Sequence, residues 1–319
     1  MSSITTDVLV VGGGPAGLAA AIAARQRGFA VMLADHARPP IDKACGEGLM
    51  PEAVSALERL GVALHARENV RFRGIRFIAS HRQATAHFAS GAGQGVRRPV
   101  LHGALTERAE EAGVELCWGA RVSLAGPQVL LDGRRVSARW IIGADGNNSA
   151  VRKWSGLERG GCRGQRFGLR QHFQAAPWGE VVEVYWSKAG EAYVTPVAGD
   201  QVCVAFLSPR RHCSAAEAMA AFPELRLRLQ NASPLGAPRG AITCSRRLPS
   251  VARGNVALVG EASGSLDAIT GQGMAVAFLQ ALALGEALAH GDLGRYCASH
   301  RKLMRVPAVM ERLMLSMGR

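Results

Sequence analysis

Short apolar runs and segments of helical periodicity alternate through the first part of the chain. An apolar run at residues 7–11 leads into a glycine-rich turn and an alanine-rich stretch that Gly28 ends, and a second apolar run follows at 30–34. Continuous apolar runs of this length are typical of parallel strands buried on both faces. A glycine just after a periodic stretch is a helix-ending signal. The pattern predicts a strand, a helix to about Arg27 and a second strand, which form one βαβ unit.

Periodicity and alternation also predict the remaining elements. Helices are expected at 51–60, 100–112 and 274–290, paired strands at 70–89, and further strands at 114–117, 129–131, 138–142 and 255–259. The segment from about 165 to 207 alternates apolar and polar residues, as in QVCVAFL, which is typical of a sheet with one buried face. These elements predict an α/β protein in which a Rossmann-like nucleotide-binding sheet is joined to a mixed or antiparallel sheet.

Composition restricts the class of protein. The chain has 319 residues, of which 48% are hydrophobic and 20% charged, so it can bury a large core and is not a disordered chain. Its formal net charge of +13 favours anionic partners, such as a phosphate-bearing cofactor, a carrier domain or a membrane surface, although the same excess also serves solubility. Nucleic acid is not expected, because no recognition motif is present and aromatic residues make up only 5%.

The cysteines and the apolar segments predict a reduced, cytoplasmic protein. Seven cysteines are scattered without a CxxC pair, at positions 45, 117, 162, 203, 213, 244 and 297. This usage predicts neither a disulfide framework nor a metal site. The N-terminus enters a strand pattern at once, with no signal peptide. The most apolar long stretch, 273–288, contains Gln280 and Glu286 and is too short and polar to cross a bilayer.

The turn after the first strand has the spacing of a dinucleotide-binding loop. In Gly12-x-Gly14-x-x-Gly17 the first glycine permits the turn, the second lets the backbone approach a pyrophosphate, and the third lets helix and strand pack closely. The helix that follows offers N–H groups and a positive dipole end to phosphates. Asp35, at the end of the second strand, is placed to bind a ribose hydroxyl. The predicted nucleotide contacts are Gly12, Gly14, Pro15, Ala16, Gly17 and Asp35.

Two later segments indicate which dinucleotide binds. Residues 143–152, GADGNNSAVR, resemble the GADGxxSxVR signature of the flavoprotein hydroxylase superfamily, and residues 255–262, NVALVGEA, resemble its GDA signature. The resemblance implies an FAD-binding fold of the hydroxybenzoate hydroxylase type. It also implies that FAD contacts Asp145, Glu261, Gly271, Gly273 and Met274. Glu261 replaces the aspartate of that signature, and Asp35 stands where most members carry glutamate.

A fourth segment resembles a narrower group of flavoproteins. Residues 43–51, KACGEGLMP, resemble the loop that runs beside the flavin in geranylgeranyl reductases and some halogenase-like proteins. The resemblance implies that Cys45 and Gly46 lie near the ring, whereas a small packed cysteine is the alternative for Cys45. Arg98 resembles the arginine that opens a helix and reaches FAD in the superfamily, with a solvated arginine as the alternative.

The predicted second sheet, the loop at 43–51 and the segment just before 270–274 supply candidates for the substrate side. We consider Cys45, Tyr193 and His172 as catalytic candidates, with Arg170 and Asp267 as further polar contacts. For Tyr193 and His172 the alternative is a side chain that only packs or faces solvent on a half-buried sheet.

The segments are expected to assemble as a discontinuous FAD-binding domain and a substrate-binding domain. The FAD-binding domain comprises 1–70, 96–164 and 250–295, the substrate-binding sheet 71–95 and 165–249, and a C-terminal helix 296–319. In that helix Leu303, Met310, Leu313, Met314 and Met317 form an apolar stripe among basic residues. The stripe either caps the fold or contacts an acidic carrier protein or a membrane surface.

These features predict an FAD-dependent oxidoreductase. The resemblance implies a monooxygenase that acts on an aromatic or polyketide-like small molecule of secondary metabolism with O₂, and with NAD(P)H as a transient reductant, since no second GxGxxG follows a strand. The loop at 43–51 favours the alternative of a geranylgeranyl-reductase-like enzyme with an apolar substrate. A non-catalytic flavin-binding protein is a third hypothesis.

Overall fold

The computed structural model describes residues 3–80, 82–126, 128–211 and 214–317. The helices are α1 (Pro15–Arg25), α2 (Pro51–Leu60), α3 (Arg98–Glu111), α4 (Ala150–Trp154), α5 (Ala215–Met219), α6 (Pro223–Arg228), α7 (Gly273–Ala289) and α8 (Leu293–Met317). The strands are β1 (Ile4–Val11), β2 (Val31–Asp35), β3 (Gly48–Leu49), β4 (Asn69–Phe72), β5 (Gly74–Ala79), β6 (Arg82–His87), β7 (Gly93–Val96), β8 (Glu115–Trp118), β9 (Val122–Ala125), β10 (Gln128–Leu131), β11 (Arg134–Gly143), β12 (Arg163–Gln174), β13 (Val182–Ser187), β14 (Gly190–Ala198), β15 (Gln201–Ser208), β16 (Ser233–Ser245), β17 (Ala252–Arg253) and β18 (Val256–Leu258). Single 3-10 turns occupy Gly260–Ser263 and Ala268–Thr270.

The first sheet brings the sequence signatures to one edge. Its central strands run in the order β18-β11-β1-β2-β8 and pair in parallel. The carboxyl ends of β1, β2, β11 and β18 carry the glycine turn, Asp35, the segment at 143–152 and the segment at 260–263 in turn. Because ligands of open α/β sheets bind outside the carboxyl ends of the strands, this edge is the expected nucleotide site.

The second sheet is mostly antiparallel and has seven strands, in the order β16-β12-β15-β14-β13-β5-β6. One pair, β13 and β5, is parallel. A small third sheet, β3-β7-β4, begins just after the loop that contains Cys45, and β5 and β6 of the second sheet come between its strands β4 and β7 in the chain. The resulting α/β architecture, with an eight-stranded sheet whose centre is parallel and a seven-stranded mixed sheet, confirms the predicted fold class.

Helices cover the first sheet and form the main core. Leu18 and Ile22 of α1 are fully buried, and each contributes roughly 1.5–3 kcal/mol relative to an exposed side chain. The first core cluster joins them to Leu101 of α3 and Phe278 of α7. Within the described part of the chain, no helix is long and apolar enough to cross a membrane.

Candidate functional site

The glycine turn after β1 leaves one open position and two closed ones. Gly12 has φ +111°, and a Cβ added there would lie 2.5 Å from the carbonyl oxygen of Ala144. A Cβ at Gly17 would lie 1.8 Å from the oxygen of Gly12, so both positions require glycine. At Gly14, by contrast, an added Cβ would meet no described atom within 4 Å. The backbone at Gly14 therefore faces open space at the start of α1.

The first turn of α1 keeps its amide groups free for a ligand. Pro15 stands at the start of the helix, and Gly14 provides no side-chain cap. No acidic residue occupies the first turn. Ala16 packs closely on the GEA segment at 260–262. A Cβ added at Gly260 would lie 2.6 Å from the Cβ of Ala16. The positive helix end is thus available to an anion beside both segments.

Asp35 supports the glycine turn directly. Its Oδ2 accepts a hydrogen bond from the Gly13 amide at 2.6 Å, and its Oδ1 accepts one from the Ala37 amide at 2.8 Å. On the other side of the turn, His102 Nε2 lies 2.9 Å from the Gly13 carbonyl oxygen. Burial lowers the pKa of His102, which favours the neutral imidazole behind the turn. Sequence reasoning missed His102, which is buried on α3 one turn after Arg98.

Asp145 uses only one of its two carboxylate oxygens within the protein. Oδ2 accepts from the amides of Ala150 and Val151 at 2.6 and 3.1 Å, whereas Oδ1 is buried without a hydrogen-bond partner among the described residues. Beside it, a Cβ at Gly146 would lie 4.0 Å from both Glu261 Oε2 and Lys43 Nζ. The acid of the GEA segment and the lysine of the Cys45 loop therefore meet at the GADG turn.

Arg152 ties two of the signatures together. Its side chain is fully buried and donates to the carbonyl oxygens of Asn147 at 2.6 Å and Ala262 at 3.1 Å, while Nε donates to Glu158 at 3.0 Å. Buried guanidinium groups need this degree of pairing, because an unpaired charge would cost several kcal/mol. The loops at 145–149 and 260–263 consequently form one unit.

The start of α3 and the loop before α7 contact each other and also carry polar atoms that have no hydrogen-bond partner in the described part of the chain. Arg98 is the first residue of α3, and its Nη1 lies 3.9 Å from Met274 Sδ. Arg98 Nε and Gln272 Oε1 are both buried without a hydrogen-bond partner among the described residues. Gly271 has φ +62°, and a Cβ at Gly273 would meet no described atom within 4 Å. Buried polar atoms without a partner among the described residues and open glycine backbones therefore occur together on these segments, as a bound cofactor requires.

The Cys45 loop is anchored by Glu47, which sequence reasoning missed. Glu47 is buried with φ +58°, and its carboxylate accepts from the Arg98 amide at 2.8 Å, from Arg170 Nη1 at 2.8 Å and from His172 Nε2 at 2.6 Å. The sequence signal that could have identified Glu47 is its position between Gly46 and Gly48 of the motif. Glu47 therefore joins the loop to α3 and to the second sheet.

Ion pairs set the protonation of this cluster. Burial alone would raise the pKa of Glu47, but the hydrogen bond from His172 and the charge of Arg170 hold it below its usual value. Arg170 also bonds both carboxylate oxygens of Asp42, at 3.2 and 2.9 Å, and Arg239 lies 2.7 Å from Asp42 Oδ2. Here too burial would raise the pKa of Asp42, and its arginine partners outweigh that effect and lower it.

One face of the second sheet lies over the Cys45 loop. Two rows of paired residues run across β14, β15 and β12. The first row is Tyr193, Ala205 and Arg170, and the second is Thr195, Cys203 and His172. Because residues two apart on a strand share a face, these side chains line the same surface. Cys203 Sγ lies 3.7 Å from the Cys45 carbonyl oxygen.

The catalytic candidates occupy different environments on this surface. Burial raises the pKa of the Cys45 thiol, which disfavours its nucleophilic thiolate form. Tyr193 donates from its hydroxyl to the Ile269 carbonyl oxygen at 3.4 Å, so it reaches the loop that precedes Gly271. His172 is buried against Glu47 rather than open to a cavity.

A second buried cluster supports the loop before α7. Asp267 Oδ1 accepts from the Ile269 amide at 3.0 Å and pairs with Arg166 at 3.2 Å, and Arg166 also pairs with Glu191. Burial raises the pKa of Asp267 and of Glu191. Glu311 of α8 accepts from the Asp267 amide at 2.6 Å. Asp267 therefore positions the loop through these partners.

Glu47, His172 and Cys203 carry ligand atoms within 4.8 Å of one another. The Glu47 carboxylate already accepts bonds from Arg170, His172 and the Arg98 amide. A metal ion would have to displace these donors and approach a guanidinium, so the cluster fits an internal ion-pair network better than a cation site.

The predicted absence of disulfides is wrong for one pair. Cys162 and Cys244 form a disulfide with a Cα–Cα distance of 5.7 Å. They are 82 residues apart in sequence but adjacent in space, because β12 pairs with β16 at Arg163 and Ser245. Cys45, Cys117, Cys203 and Cys297 are free thiols, and Cys213 lies outside the described residues.

Curated relatives match different lengths of the chain. A 201-residue alignment is 32% identical to menaquinone reductase of Mycobacterium tuberculosis and covers 58% of this chain and 45% of that protein. AqdB1, a proposed 2-heptyl-3-hydroxy-4(1H)-quinolone synthase of Rhodococcus erythropolis, is 28% identical over 339 residues, covering 96% of this chain and 86% of its own. The chain thus matches less than half the length of the menaquinone reductase.

Solved structures and sequence families agree on the fold. PqsL of P. aeruginosa in complex with 2-aminobenzoylacetate has a TM-score of 0.80 and 26% identity, over 98% of this chain and 95% of that one. The FAD-binding domain family matches residues 5–295. This range contains the glycine turn and the GADG, GEA and Cys45 segments, and it confirms the FAD-binding fold predicted from them. The chain belongs to the FAD-binding domain family.

Proposed function

We propose that this chain is an FAD-dependent monooxygenase of an aromatic or polyketide-like small molecule, with NAD(P)H as a transient reductant. The observation that carries the proposal is that buried polar atoms without a partner among the described residues, and open glycine backbones, occur together on the segments that resemble FAD signatures. Arg98 Nε, Asp145 Oδ1 and Gln272 Oε1 supply the atoms, and Gly14 and Gly273 supply the backbones. This donor and acceptor set fits a dinucleotide cofactor.

Different residues would bind different parts of FAD. The pyrophosphate would be held by the start of α1 at Gly14, Pro15 and Ala16, where free amides and the helix dipole favour anions. Asp35 would hold the adenosine ribose. Asp145 and Glu261 would accept from hydroxyl groups of the chain that leads to the flavin. The flavin would lie between Arg98, the Cys45–Gly46 loop and the backbone at 271–274.

We propose that FAD is bound by one domain, which comprises residues 1–70, 96–164 and 250–295. The substrate would be bound by a second domain, which comprises residues 71–95 and 165–249. The sheet surface around Tyr193 would cover the reaction site. FAD supplies the redox chemistry and the reaction with O₂. The chain would hold Cys45 beside the cofactor, and His172 would position the Cys45 loop through its bond to Glu47. The Glu47–His172 hydrogen bond joins the loop to the second sheet.

One observation supports a second function. The menaquinone reductase that is 32% identical over 201 residues acts, by its name, on menaquinone. The Cys45 loop also resembles that of geranylgeranyl reductases. A reductase would transfer hydrogen to an apolar substrate without consuming O₂.

The first experiment measures whether the purified chain binds FAD and which reaction follows. We expect a flavin absorption spectrum and release of FAD by denaturation, identified by mass. The loaded protein is then incubated with NADH or NADPH and 2-aminobenzoylacetate or a phenolic acid, with O₂ uptake and product mass recorded. One added oxygen atom with matched O₂ uptake supports the monooxygenase.

A parallel anaerobic assay with menaquinone tests the alternative. A product that gains two hydrogen atoms without O₂ supports the reductase and contradicts the monooxygenase. Failure to bind FAD contradicts both functions. The Gly14→Ala variant serves as the control for cofactor-independent turnover.

A further inference from the structure

We propose that the outer face of α8 binds a membrane surface that contains anionic lipids. The α8 outer surface is defined by an apolar group, Val306, Val309, Met310 and Leu313, and by a basic group, Arg301, Arg305 and Arg312. The proposal does not depend on the oxidoreductase activity, and its test does not use turnover.

The inner face of α8 fixes the helix on the fold. The Tyr296 hydroxyl donates to the Leu258 carbonyl oxygen at 2.6 Å, and His300 Nε2 lies 3.0 Å from Ser263 Oγ. Gln280 contacts Met304 Sδ at 3.8 Å, and Glu311 accepts from the Asp267 amide. Positions 296, 300, 304 and 311 recur at helical spacing, so they share one face. The opposite face is therefore held outward.

Apolar side chains form a continuous stripe on that outward face. Val306 is 68% exposed, Val309 53%, Met310 40% and Leu313 54%. Their spacing of i, i+3, i+4 and i+7 places them together over two turns. Of the stripe predicted from sequence, Met310 and Leu313 are exposed, Leu303 and Met314 are half-buried, and the side chain of Met317 lies outside the described residues. Exposed large apolar side chains that adjoin one another mark an interaction surface.

A row of positive charges runs beside the stripe. Arg301, Arg305 and Arg312 are exposed and lie on one side of the helix, at spacings of four and seven residues. Glu311 is the only acidic residue between 293 and 317, and it is buried in contact with Arg247 at 3.5 Å. The helix therefore presents positive charge that its own acid does not neutralise.

The arrangement of the two groups favours a lipid surface. A helix that lies in the plane of a membrane inserts an apolar side and places arginines at the level of the lipid phosphates. Anionic headgroups add attraction for each arginine near the surface. An acidic protein would match the charges but would also need an apolar groove parallel to them. The side-by-side stripe and row fit a planar interface more directly.

Vesicle flotation with the full chain tests the proposal. Vesicles of phosphatidylcholine with phosphatidylglycerol should carry the protein upward, and pure phosphatidylcholine should carry less. Leu313→Ser should reduce the partition coefficient roughly tenfold, whereas Leu227→Ser, at an equally exposed position on α6, should not. Arg305→Gln with Arg312→Gln should weaken binding at least tenfold, unlike Arg71→Gln with Arg82→Gln.

Other results would overturn the proposal. Loss of binding in the arginine variant but not in Leu313→Ser would indicate attraction to any polyanion, without insertion. A dimer in light scattering that Leu313→Ser dissociates, with no flotation, would assign the surface to a second copy. Failure of a folded wild-type monomer to float with anionic vesicles would also contradict it. Circular dichroism of each variant establishes that the fold is intact.

Discussion

Oε2 of Glu47 lies 2.6 Å from Nε2 of His172, so an acid of the cofactor loop and an imidazole of the second sheet share one buried hydrogen bond. With Arg170 and the Arg98 amide as further donors, the same carboxylate contacts two separate segments, β12 and α3. Its loss should therefore affect the stability of the whole chain.

Glu47→Gln should lower the free energy of unfolding by about 3 kcal/mol at neutral pH, because Arg170 and His172 lose a buried charged partner. The folded state lowers the pKa of Glu47 below its usual value of 4.5. Its contribution is therefore present above that value and lost as pH falls through the folded pKa. Urea unfolding across acidic and neutral pH should show the difference between wild type and variant shrinking at low pH. A stability difference between wild type and Glu47→Gln that does not change with pH would contradict this role of Glu47. An equal loss of stability in Glu58→Gln, at an exposed position, would contradict it as well.

Gly14→Ala should leave the fold intact and weaken FAD binding at least tenfold, because the added methyl group enters the space assigned to the pyrophosphate. Fluorescence titration with FAD measures the dissociation constant. A Cβ added at Gly103 on α3 would also meet no described atom within 4 Å, so Gly103→Ala is the matched control. It should leave the FAD dissociation constant unchanged. Gly17→Ala should instead prevent stable folding, since its Cβ would overlap the Gly12 carbonyl. Equal FAD binding by the Gly14 and Gly103 variants would move the site elsewhere.

Asp35→Asn should raise the FAD dissociation constant by about tenfold. Both oxygens of Asp35 accept from backbone amides, and the amide nitrogen of asparagine would oppose one of those donors. Asp7→Asn is the matched control, because Asp7 accepts from a single backbone amide, that of Ala30, near the other end of the sheet. If both variants bind FAD alike, Asp35 has no part in the nucleotide site.

Reduction of the Cys162–Cys244 disulfide should lower the free energy of unfolding by roughly 2–4 kcal/mol, because the bond closes a long loop. Peptide mapping without reductant should recover the two cysteines in one cross-linked fragment. Cys162→Ala should match the reduced wild type in stability, and Cys297→Ala should still respond to reductant. Free thiols at both positions under oxidising conditions would exclude the bond.

The sequence predicted the elements with strong local signals. The helix at 51–60 is α2, and Arg98 opens α3 as expected. The segment at 70–89 was predicted as paired strands, but only β5 and β6 pair with each other, and β4 joins the third sheet. β16 was not predicted at all, because its run SPLGAPRGAITCS has little apolar alternation and forms through its pairing with β12.

The nucleotide side of the site was more accessible to prediction than the substrate side. The glycine turn has a local backbone requirement that a short motif encodes, as the contacts at Gly12 and Gly17 illustrate. Glu47 and Arg166 acquire their roles from strands that are distant in sequence, and no local pattern indicates those partners. The Cys162–Cys244 pair was missed for the same reason.

The buried Arg152 also constrains the order of events during synthesis. It bonds the carbonyl of Ala262, and β18 lies beside β11 in the first sheet. A nascent chain that has emerged only through the GADG segment therefore has the glycine turn but not the strand and loop that complete its edge. Cofactor capture at this edge should then be a late event, which follows synthesis of the chain at least through residue 263.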